Sequence, residues 1–304
     1  MTTTPVNGSG NLAHKTVDLV DLSTLPRGEK KLTIVPFGLF GSGKTRFAAT
    51  APGPIGVIPL NSKCRATIEN IWRKDFPSKK FIFPKQDLIR HAKAMQIATL
   101  KPKCVEDSNA FGKIQLNAGV EPVCCAMHYY RWHVDRVKDS IWTMAASPLI
   151  ETIVIDDCTV LYEDILFANF GRTNQLSTQR TVYAGPNREM AEIINSAKDK
   201  KHLILLSQAK PEYVNDKRTD KYKIDGCSKL GFDTTVILYM YRDQKTNDFY
   251  ADVQLCQENA SLNGDAGLRL LANDEINFAT LAAKIFADDD NFLEVYMEYQ
   301  EKCQ

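Results

Sequence analysis

The residues best suited to chemistry lie between Gly38 and Thr45, where the sequence reads GLFGSGKT. This GxxxxGK[ST] pattern follows a short apolar run, Leu32 to Pro36, and precedes the helix-forming residues RFAAT. In such a loop, glycines let successive backbone N–H groups converge on a chain of phosphates, and the helix N-terminus adds its positive end. Lys44 is expected to reach the β- and γ-phosphates, and the Thr45 hydroxyl to ligate Mg²⁺. The residues predicted to bind ATP are Gly38, Gly41, Ser42, Gly43, Lys44, Thr45 and Arg46.

A nucleotide–metal site also needs a carboxylate, normally at the C-terminal end of a buried strand beside the phosphate-binding strand. The segment TIVIDD, which ends in Asp156 and Asp157, fits this requirement. We expect Asp156 to hold Mg²⁺, directly or through water, together with Thr45. Asp157 has two interpretations: it orients the attacking water, or it caps the helix that begins at Cys158.

A third polar group follows the apolar run Leu203 to Leu206, which ends in Ser207 and Gln208. The C-terminal ends of parallel strands face the ligand in α/β proteins, so a polar residue there can sense the γ-phosphate. Gln208 is the candidate, and its alternative is a hydrogen-bonded loop residue. The predicted catalytic group is therefore Lys44, Asp156, Asp157 and Gln208.

Strand-length apolar runs separated by helical patterns must position these groups. The runs are Leu32–Pro36, Ile55–Leu60, Phe81–Phe83, Thr152–Ile155, Leu203–Leu206, Thr235–Tyr241 and Tyr250–Leu255. Continuous apolar strands indicate a mostly parallel sheet with helices on both faces, and the polar connector DQKTND predicts an antiparallel hairpin at its C-terminal edge. One helix is marked by apolar residues three and four positions apart: Tyr130, Val134, Val137, Ile141 and Met144. The predicted fold class is α/β.

Three regions follow from composition along the 304 residues. Residues 1 to 30 are expected to form a flexible arm, residues 31 to 286 a P-loop ATPase domain, and residues 287 to 304 an acidic tail or helix. With a net charge of only +1, the protein as a whole does not attract nucleic acid or anionic lipid. Any such contact must come from a local patch of basic residues. No apolar run approaches the roughly 20 residues of a membrane span.

The N-terminal residues lack the apolar core of a signal peptide, and the eight cysteines are scattered rather than arranged as a disulfide framework. These features predict a soluble protein in a reducing, cytoplasmic compartment.

Four segments together carry a resemblance to a known group: the P-loop, ETIVIDDCTVLYEDIL, AGPNREMAEIINSAK and KKHLILLSQAK. They resemble phage-encoded P-loop proteins with a RecA-like ATPase core, a group that includes single-strand annealing and recombination ATPases. The resemblance covers about residues 31 to 286. Only two of its motifs are individually specific: the Walker A motif, which is the P-loop Gly38 to Thr45, and the Walker B motif, which ends in Asp156 and Asp157. It implies a RecA-like fold, a location in the host cytoplasm, and a ring or filament with nucleotide between protomers. It also implies that Gln208 couples nucleotide state to a following DNA-binding loop.

The sequence departs from this group at one place. Members commonly carry an acidic residue after the strand that follows the P-loop helix, where it can activate water. Here that strand is followed by Asn61, Ser62, Lys63, Cys64 and Arg65, and no carboxylate precedes Glu69. Efficient ATP hydrolysis is therefore expected only if Asp157 takes the place of the missing acidic residue. The alternative is that the protein binds ATP as a switch without hydrolysing it.

Two polar stretches are candidate contacts for single-stranded DNA. The first, Phe170 to Arg188, contains three arginines, two aromatic residues and no acidic residue before Arg188; the second, Ala209 to Asp233, contains six basic and five acidic residues. Basic groups for phosphates and aromatic rings for base stacking suit single strands, and solvated loops are the alternative. The residues expected to contact DNA are Arg172, Arg180, Tyr183, Lys210, Lys217 and Arg218.

The leading hypothesis is a Mg²⁺-dependent ATPase of RecA-like architecture that binds single-stranded DNA in recombination, annealing or replication. A second is a P-loop kinase for a small molecule, with Arg172 to Arg188 as its arginine-rich lid. A third is a non-hydrolysing, nucleotide-dependent interaction module, which the missing acid near Asn61 favours.

Overall fold

The structure, a computed structural model, describes residues 30–90, 125–171, 180–227, 230–264 and 277–286. The described residues from Lys31 onward belong to one compact unit. The predicted flexible arm, apart from its last residue, and the predicted acidic tail lie outside the described residues.

The core of the molecule is an eight-stranded sheet with the order β3-β2-β4-β5-β1-β7-β8, to which β6 adds by pairing with β5. The strands are β1 (Thr33–Gly38), β2 (Ile55–Pro59), β3 (Phe81–Ile82), β4 (Thr152–Asp156), β5 (His202–Val214), β6 (Lys217–Asp225), β7 (Val236–Arg242) and β8 (Phe249–Cys256). All neighbours run parallel except the two hairpin pairs, β5 with β6 and β7 with β8.

Helices cover both faces of this sheet. They are α1 (Lys44–Ala49), α2 (Ser62–Asp75), α3 (Ala126–Ala146), α4 (Cys158–Phe170), α5 (Ala184–Asn195) and α6 (Phe278–Ile285). Residues of α3, α4 and α5 pack in one apolar cluster, and residues of α1, α2 and α6 pack in a second. The predicted fold class, α/β with a mostly parallel sheet, helices on both faces and an antiparallel hairpin at its C-terminal edge, is confirmed.

Helix α3 confirms its predicted apolar stripe. Tyr130, Val134, Val137, Ile141 and Met144 are all buried, because spacings of three and four residues place them on one face of the helix, against the sheet.

One prediction about the sheet was wrong. The strand that ends in Asp156 does not lie beside β1, because β5 is inserted between them and pairs Ile204 with Ile34 on one side and with Val154 on the other. Residues Leu203 to Leu206 are at most 1% exposed, as expected for a strand with neighbours on both edges and helices on both faces. Apolar runs mark such strands in a sequence but do not give their lateral order.

A second correction concerns the polar stretch Ala209 to Asp233, for which the sequence indicated no strand. Residues 209 to 225 of this stretch are not a loop. They form the β5–β6 hairpin, closed by Asn215 and Asp216 with φ values of 51° and 61°. Positive φ at both central residues is the signature of a two-residue type I′ turn, which matches the twist of the flanking strands. Most side chains of this hairpin are solvent-exposed, so it lacks the apolar pattern by which strands are recognised.

A row of stacked tyrosine rings connects this hairpin to the far edge of the sheet. Tyr222 of β6 stacks on Tyr239 of β7 with ring centroids 5.7 Å apart, and Tyr239 stacks on Tyr241 at 5.3 Å. Tyr241 in turn stacks on Tyr250 of β8 at 5.4 Å. The hairpin is therefore packed onto the sheet along β6 and exposed at its tip.

Candidate nucleotide site

The P-loop connects the end of β1 to the start of α1, and its glycines are required by the local geometry. A Cβ atom on Gly38 would lie 2.1 Å from the Met240 carbonyl oxygen and 2.6 Å from Ser42 Oγ, so no larger residue fits. Gly43 has a φ of +88°, and a Cβ atom there would lie 3.2 Å from the Phe249 ring. The sequence thus gives a loop whose backbone passes close to both β7 and β8.

Lys44 points back into this loop. Its Nζ donates to the carbonyl oxygens of Gly38 at 2.7 Å and Leu39 at 2.9 Å, and to Ser42 Oγ at 3.3 Å. Burial lowers the pKa of Lys44, while the nearby carboxylates of Asp157 and Asp156 act in the opposite direction. An anion entering the loop would offer this ammonium stronger, charge-assisted acceptors than carbonyl oxygens.

Thr45 and Asp156 face each other across the site, with Thr45 Oγ1 3.4 Å from Asp156 Oδ2. Adjacent ligands of an octahedral Mg²⁺ ion lie about 3 Å apart, given metal–oxygen distances near 2.1 Å. The pair therefore fits a Mg²⁺ ion that Thr45 ligates and that Asp156 holds directly or through water. Mg²⁺ sites of this kind use one or two carboxylates and take their other ligands from phosphates and water.

The Asp156 carboxylate is buried and interacts with four neighbouring side chains. Burial raises the pKa of Asp156 to about 6, and Asp157 acts in the same direction. Hydrogen bonds from the Cys64 thiol and the Thr45 hydroxyl, together with the charge of Lys44, oppose this rise. Burial also raises the pKa of the Cys64 thiol far above its usual range, so Cys64 remains a neutral donor to Asp156.

Asp157 uses both of its carboxylate oxygens. Oδ1 accepts a hydrogen bond from the Thr159 backbone N–H at 2.8 Å, which caps α4, and Oδ2 accepts one from Gln208 Nε2 at 2.6 Å. The capping contact is thus present in the structure. Orientation of a water by Asp157 stays a prediction, and the remaining acceptor capacity of the two oxygens is compatible with it.

Gln208 lies beside the P-loop in the sheet, since it pairs in register with Gly38. Its backbone N–H donates to Thr159 Oγ1 at 2.9 Å, and that hydroxyl donates to the Asp225 carbonyl oxygen at 2.6 Å. Asp225 ends β6 and also pairs with Lys210 at 2.9 Å. Gln208 and Thr159 therefore connect Asp157 to the base of the β5–β6 hairpin.

These groups line one cavity of about 660 Å³. It brings together every predicted nucleotide-binding, metal-binding and catalytic residue: Gly38, Gly41, Ser42, Gly43, Lys44, Thr45, Arg46, Asp156, Asp157 and Gln208. Arg46 also forms an ion pair with Asp75, with Nη1 3.3 Å from Oδ2.

Several other residues that were not predicted from the sequence also line this cavity, notably Phe249, Cys64, Lys63 and Thr67. Lys63 and Cys64 stand at the start of α2, so their helical position after β2 was an available signal. Phe249 comes from β8, more than two hundred residues after the P-loop, and no local pattern connects the two.

The segment after β2 has a capping role. Asn61 Oδ1 accepts the Cys64 backbone N–H at 2.8 Å and so caps α2. Within the part of the chain that the structure describes, Asp156 and Asp157 are the only carboxylates that line the cavity.

Some of the predicted DNA contacts lie around a second cavity of about 940 Å³, which Tyr183, Lys210 and Gln208 line. Lys217 and Arg218 lie elsewhere, exposed at the tip of the β5–β6 hairpin. Arg172 and the side chain of Arg180 are outside the described residues.

Comparisons with known proteins give distant structural likeness only. No protein-family model matches the sequence, and no curated protein matches it significantly. The chain is similar to a KaiC-like protein from the archaeon Pyrococcus horikoshii OT3, at 13% identity and a TM-score of 0.38, with 75% of this chain and 81% of that chain covered. It is also similar to a RadB recombinase, at 12% identity and a TM-score of 0.39, with 74% and 81% covered. At these values the fold assignment rests on the strand order and the P-loop.

Among the described helices, none is both long and apolar enough to cross a membrane.

Proposed function

We propose that this protein is a Mg²⁺-dependent, ATP-binding and ATP-hydrolysing protein that acts on single-stranded DNA in recombination, annealing or replication. The observation that carries the proposal is the position of Gln208, which lines both cavities and hydrogen-bonds Asp157 at 2.6 Å. One cavity has the P-loop, and the other has Tyr183 and Lys210. A single side chain thus links a nucleotide site to candidate nucleic-acid contacts.

The residues fit ATP and Mg²⁺ as ligands. Bound Mg²⁺ would neutralise charge that develops on the phosphates. Lys44 would exchange the carbonyl oxygens of Gly38 and Leu39 for phosphate oxygens, while Thr45 and Asp156 would hold the cation. The P-loop backbone and the N-terminus of α1 would orient the phosphate chain for in-line attack.

Asp157 is the carboxylate proposed to orient the attacking water. In the structure its Oδ2 accepts the Gln208 amide, so that amide competes with the attacking water for this oxygen. We therefore propose slow turnover in the absence of DNA and faster turnover when the hairpin is engaged.

The β5–β6 hairpin supplies the outer part of the proposed DNA surface. Lys217 and Arg218 are exposed beside Tyr213, which is 58% exposed, at its tip. Basic and aromatic side chains in proximity suit a single strand.

A homo-oligomer, as a ring or filament, belongs to the same proposal. Leu39 and Phe40, at the mouth of the nucleotide cavity, are 49% and 95% exposed. Exposed apolar side chains beside a ligand site mark a surface that a partner covers, and here the proposed partner is a second protomer.

The test is ATP turnover measured with and without an unstructured oligonucleotide, alongside mass in solution with each nucleotide. We expect Mg²⁺-dependent turnover that DNA stimulates and an increase in mass with ATP. Lys44→Ala should abolish nucleotide binding or turnover while keeping the circular dichroism spectrum. Unchanged turnover in that folded variant would overturn the P-loop assignment, and absence of DNA binding at low salt in every nucleotide state would overturn the DNA assignment.

A P-loop kinase is a second candidate, because the 940 Å³ cavity beside Gln208 is large enough for a phosphoryl acceptor. ADP formation that requires a metabolite, and yields a phosphorylated product, would select this reading. A non-hydrolysing switch is the third, and the absence of a carboxylate beside Asn61 among the described residues that line the cavity favours it. Tight ATP binding without turnover, in the presence or absence of DNA, would select that one.

A further inference from the structure

Lys63 is a cation of the nucleotide cavity to which the proposed chemistry assigns no role. Among the described residues, three cationic side chains line this cavity: Lys44, Arg46 and Lys63. Lys44 donates to carbonyl oxygens of the P-loop, and Arg46 pairs with Asp75. The Lys63 ammonium has no ion pair and no hydrogen bond within the part of the chain that the structure describes. Its charge is therefore available to an anion in the cavity.

The first turn of α2 holds the backbone of Lys63 beside Asp156. Strand β2 pairs with β4, and directly after β2 the Leu60 backbone N–H donates to the Asp156 carbonyl oxygen at 2.7 Å. The Asn61 side chain then caps α2 by accepting the Cys64 N–H at 2.8 Å. The Lys63 side chain thus begins next to the carboxylate that is proposed to hold Mg²⁺.

The other end of the Lys63 side chain reaches the P-loop. Its Nζ lies over the Phe40 ring, 5.8 Å from the ring centroid, which is near the outer limit of a cation–π contact. Phe40 is 95% exposed, and such a contact is weak in water. The side chain therefore extends from the start of α2 to the P-loop and is held at its tip by one weak interaction.

A terminal phosphate would offer this ammonium a stronger acceptor than an aromatic ring. Mg²⁺ held by Thr45 and Asp156 would bridge the β- and γ-phosphates, so the γ-phosphate would lie beside the first turn of α2 and within reach of Lys63. A charge-assisted contact with a phosphate oxygen is stronger than a contact with an exposed ring. ATP also carries one more negative charge than ADP when each is bound with Mg²⁺, and the γ-phosphate supplies it.

We propose that Lys63 binds the γ-phosphate of ATP and thereby makes this site prefer a nucleoside triphosphate over a diphosphate. On binding, its ammonium moves from the Phe40 ring to a phosphate oxygen. Lys63 is then a second phosphate-binding lysine, which comes from α2, whereas Lys44 comes from the P-loop. This inference rests on the nucleotide-binding part of the proposed function and does not depend on DNA.

The test compares two nucleotides, each in the presence of Mg²⁺. Isothermal titration calorimetry measures the binding of ADP and of the non-hydrolysable adenosine 5′-(β,γ-imido)triphosphate, so turnover does not enter. Lys63→Gln removes the charge and keeps most of the side-chain length. We expect this variant to bind the triphosphate about ten-fold more weakly than the wild type, which is the effect of losing one hydrogen bond to a charged group. Its affinity for ADP should change by less than about two-fold, because ADP has no γ-phosphate.

Two further variants separate the Lys63 contact from general effects of charge. Lys63→Arg keeps a cationic donor and should retain the preference for the triphosphate. The matched control is Arg65→Gln, which removes a cation two residues further along α2. Arg65 pairs with Glu69 at 3.2 Å and does not line the cavity, so both affinities should equal those of the wild type. Because Lys63 is solvent-exposed, the nucleotide-free Lys63→Gln protein should melt at the wild-type temperature.

The outcomes distinguish this inference from the proposed function. Lys63→Gln protein that binds the triphosphate as tightly as the wild type, or that loses the same factor for both nucleotides, overturns the role of Lys63 while the nucleotide site stands. An equal loss of triphosphate affinity in Arg65→Gln assigns the effect to the overall charge of α2 and also overturns it. Wild-type protein that binds neither nucleotide overturns the nucleotide site itself and this inference with it.

Discussion

The side-chain amide of Gln208 donates to Asp157 Oδ2 at 2.6 Å, while Asp157 Oδ1 accepts the Thr159 N–H at 2.8 Å. Both oxygens of Asp157 therefore already accept a hydrogen bond, and a water must share one of them. Gln208 lies in β5 at the base of the β5–β6 hairpin. A movement of the hairpin would therefore alter the hydrogen bond between Gln208 and Asp157.

Removal of the Gln208 side-chain amide should make ATP turnover independent of DNA. We expect Gln208→Ala to keep ATP affinity within about three-fold of the wild type, because Lys44, Thr45 and Asp156 are unchanged. Its ATP turnover should be the same with and without oligonucleotide. Steady-state turnover and a fluorescent nucleotide titration measure the two quantities, and a variant that DNA still stimulates as strongly as the wild type contradicts the proposed link.

Asp157 can be tested with its capping role held constant. Asn caps helices about as well as Asp, whereas Ala does not and typically costs about 1 kcal/mol. Asp157→Asn should therefore retain the thermal stability of the wild type and lose most ATP turnover, and Asp157→Ala should lose both. Full turnover in Asp157→Asn would leave Asp157 with the capping role alone.

Asp156 should destabilise the protein when no cation is bound. Burial raises the pKa of Asp156 in the folded protein to about 6, above its ordinary value of 3.8. A raised pKa means that its contribution to stability is present below about pH 3.8 and lost as pH rises through about 6. At pH 7.5 without Mg²⁺ we expect Asp156→Asn to melt about 2 °C or more above the wild type.

Two controls accompany this Asp156 experiment. The difference in melting temperature should vanish near pH 4, where the wild-type carboxyl is protonated, and Asp156→Asn should lose the stabilisation that Mg²⁺ and ATP give the wild type. An equal or lower melting temperature at pH 7.5 contradicts the destabilising role of the buried charge.

The hairpin tip should contribute two phosphate contacts. Changing Lys217 and Arg218 together to Ala should weaken oligonucleotide binding for all sequences and reduce the slope of log K against log salt by about 1.4, since each contact to a single strand contributes about 0.7. The matched control changes Lys200 and Lys245, two exposed lysines outside the hairpin and both cavities, to Ala. Equal slopes for the two double variants would exclude the hairpin tip from the DNA surface.

His202 should determine part of the acid sensitivity of folding. Its Nδ1 accepts the Leu32 backbone N–H at 3.0 Å, and burial, aided by Lys31, lowers the pKa of His202 to about 3. A lowered pKa means that the neutral imidazole stabilises the fold above its unfolded value of 6.5 and that this stability is lost as pH falls toward 3.

His202→Asn keeps an acceptor for the Leu32 N–H but does not titrate. Between pH 6 and 4 the free energy of unfolding of the wild type should fall faster than that of the variant, by up to about 1.4 kcal/mol per pH unit. The slope is the readout, because Asn also loses the contact between the His202 and Phe278 rings. Parallel pH profiles from urea unfolding would contradict the buried neutral imidazole.

The residues of the candidate nucleotide site could be selected from the sequence because they are close together along the chain or end an apolar strand. GLFGSGKT fixes the backbone of the P-loop by its glycines alone, and Asp156 ends an apolar strand that is evident as such. Neither the approach of Phe249 to the P-loop nor the contact of Cys64 with Asp156 could be found in this way. Phe249 reaches Gly43 only because β8 is placed at the sheet edge, and the contact of Cys64 with Asp156 depends on the packing of α2.

The β5–β6 hairpin shows a different limit. Its strands carry charges because they project from the sheet, so the apolar alternation that reveals strands is absent. The turn residues Asn215 and Asp216 were a usable signal, since Asn and Asp tolerate positive φ better than other residues with side chains. Asn215 and Asp216 indicate a hairpin turn only when strands are recognised on both sides, and here the charged residues of those strands hide the usual apolar pattern.

Strand β5 also has a mechanical consequence. It is continuous from His202 to Val214, and it is hydrogen-bonded to β1 on one edge and to β4 on the other before it leaves the sheet. Tension applied to the hairpin along this strand would load those bonds in shear, many at once. Force on the tip would thus be borne by the strand that separates the two Walker motifs.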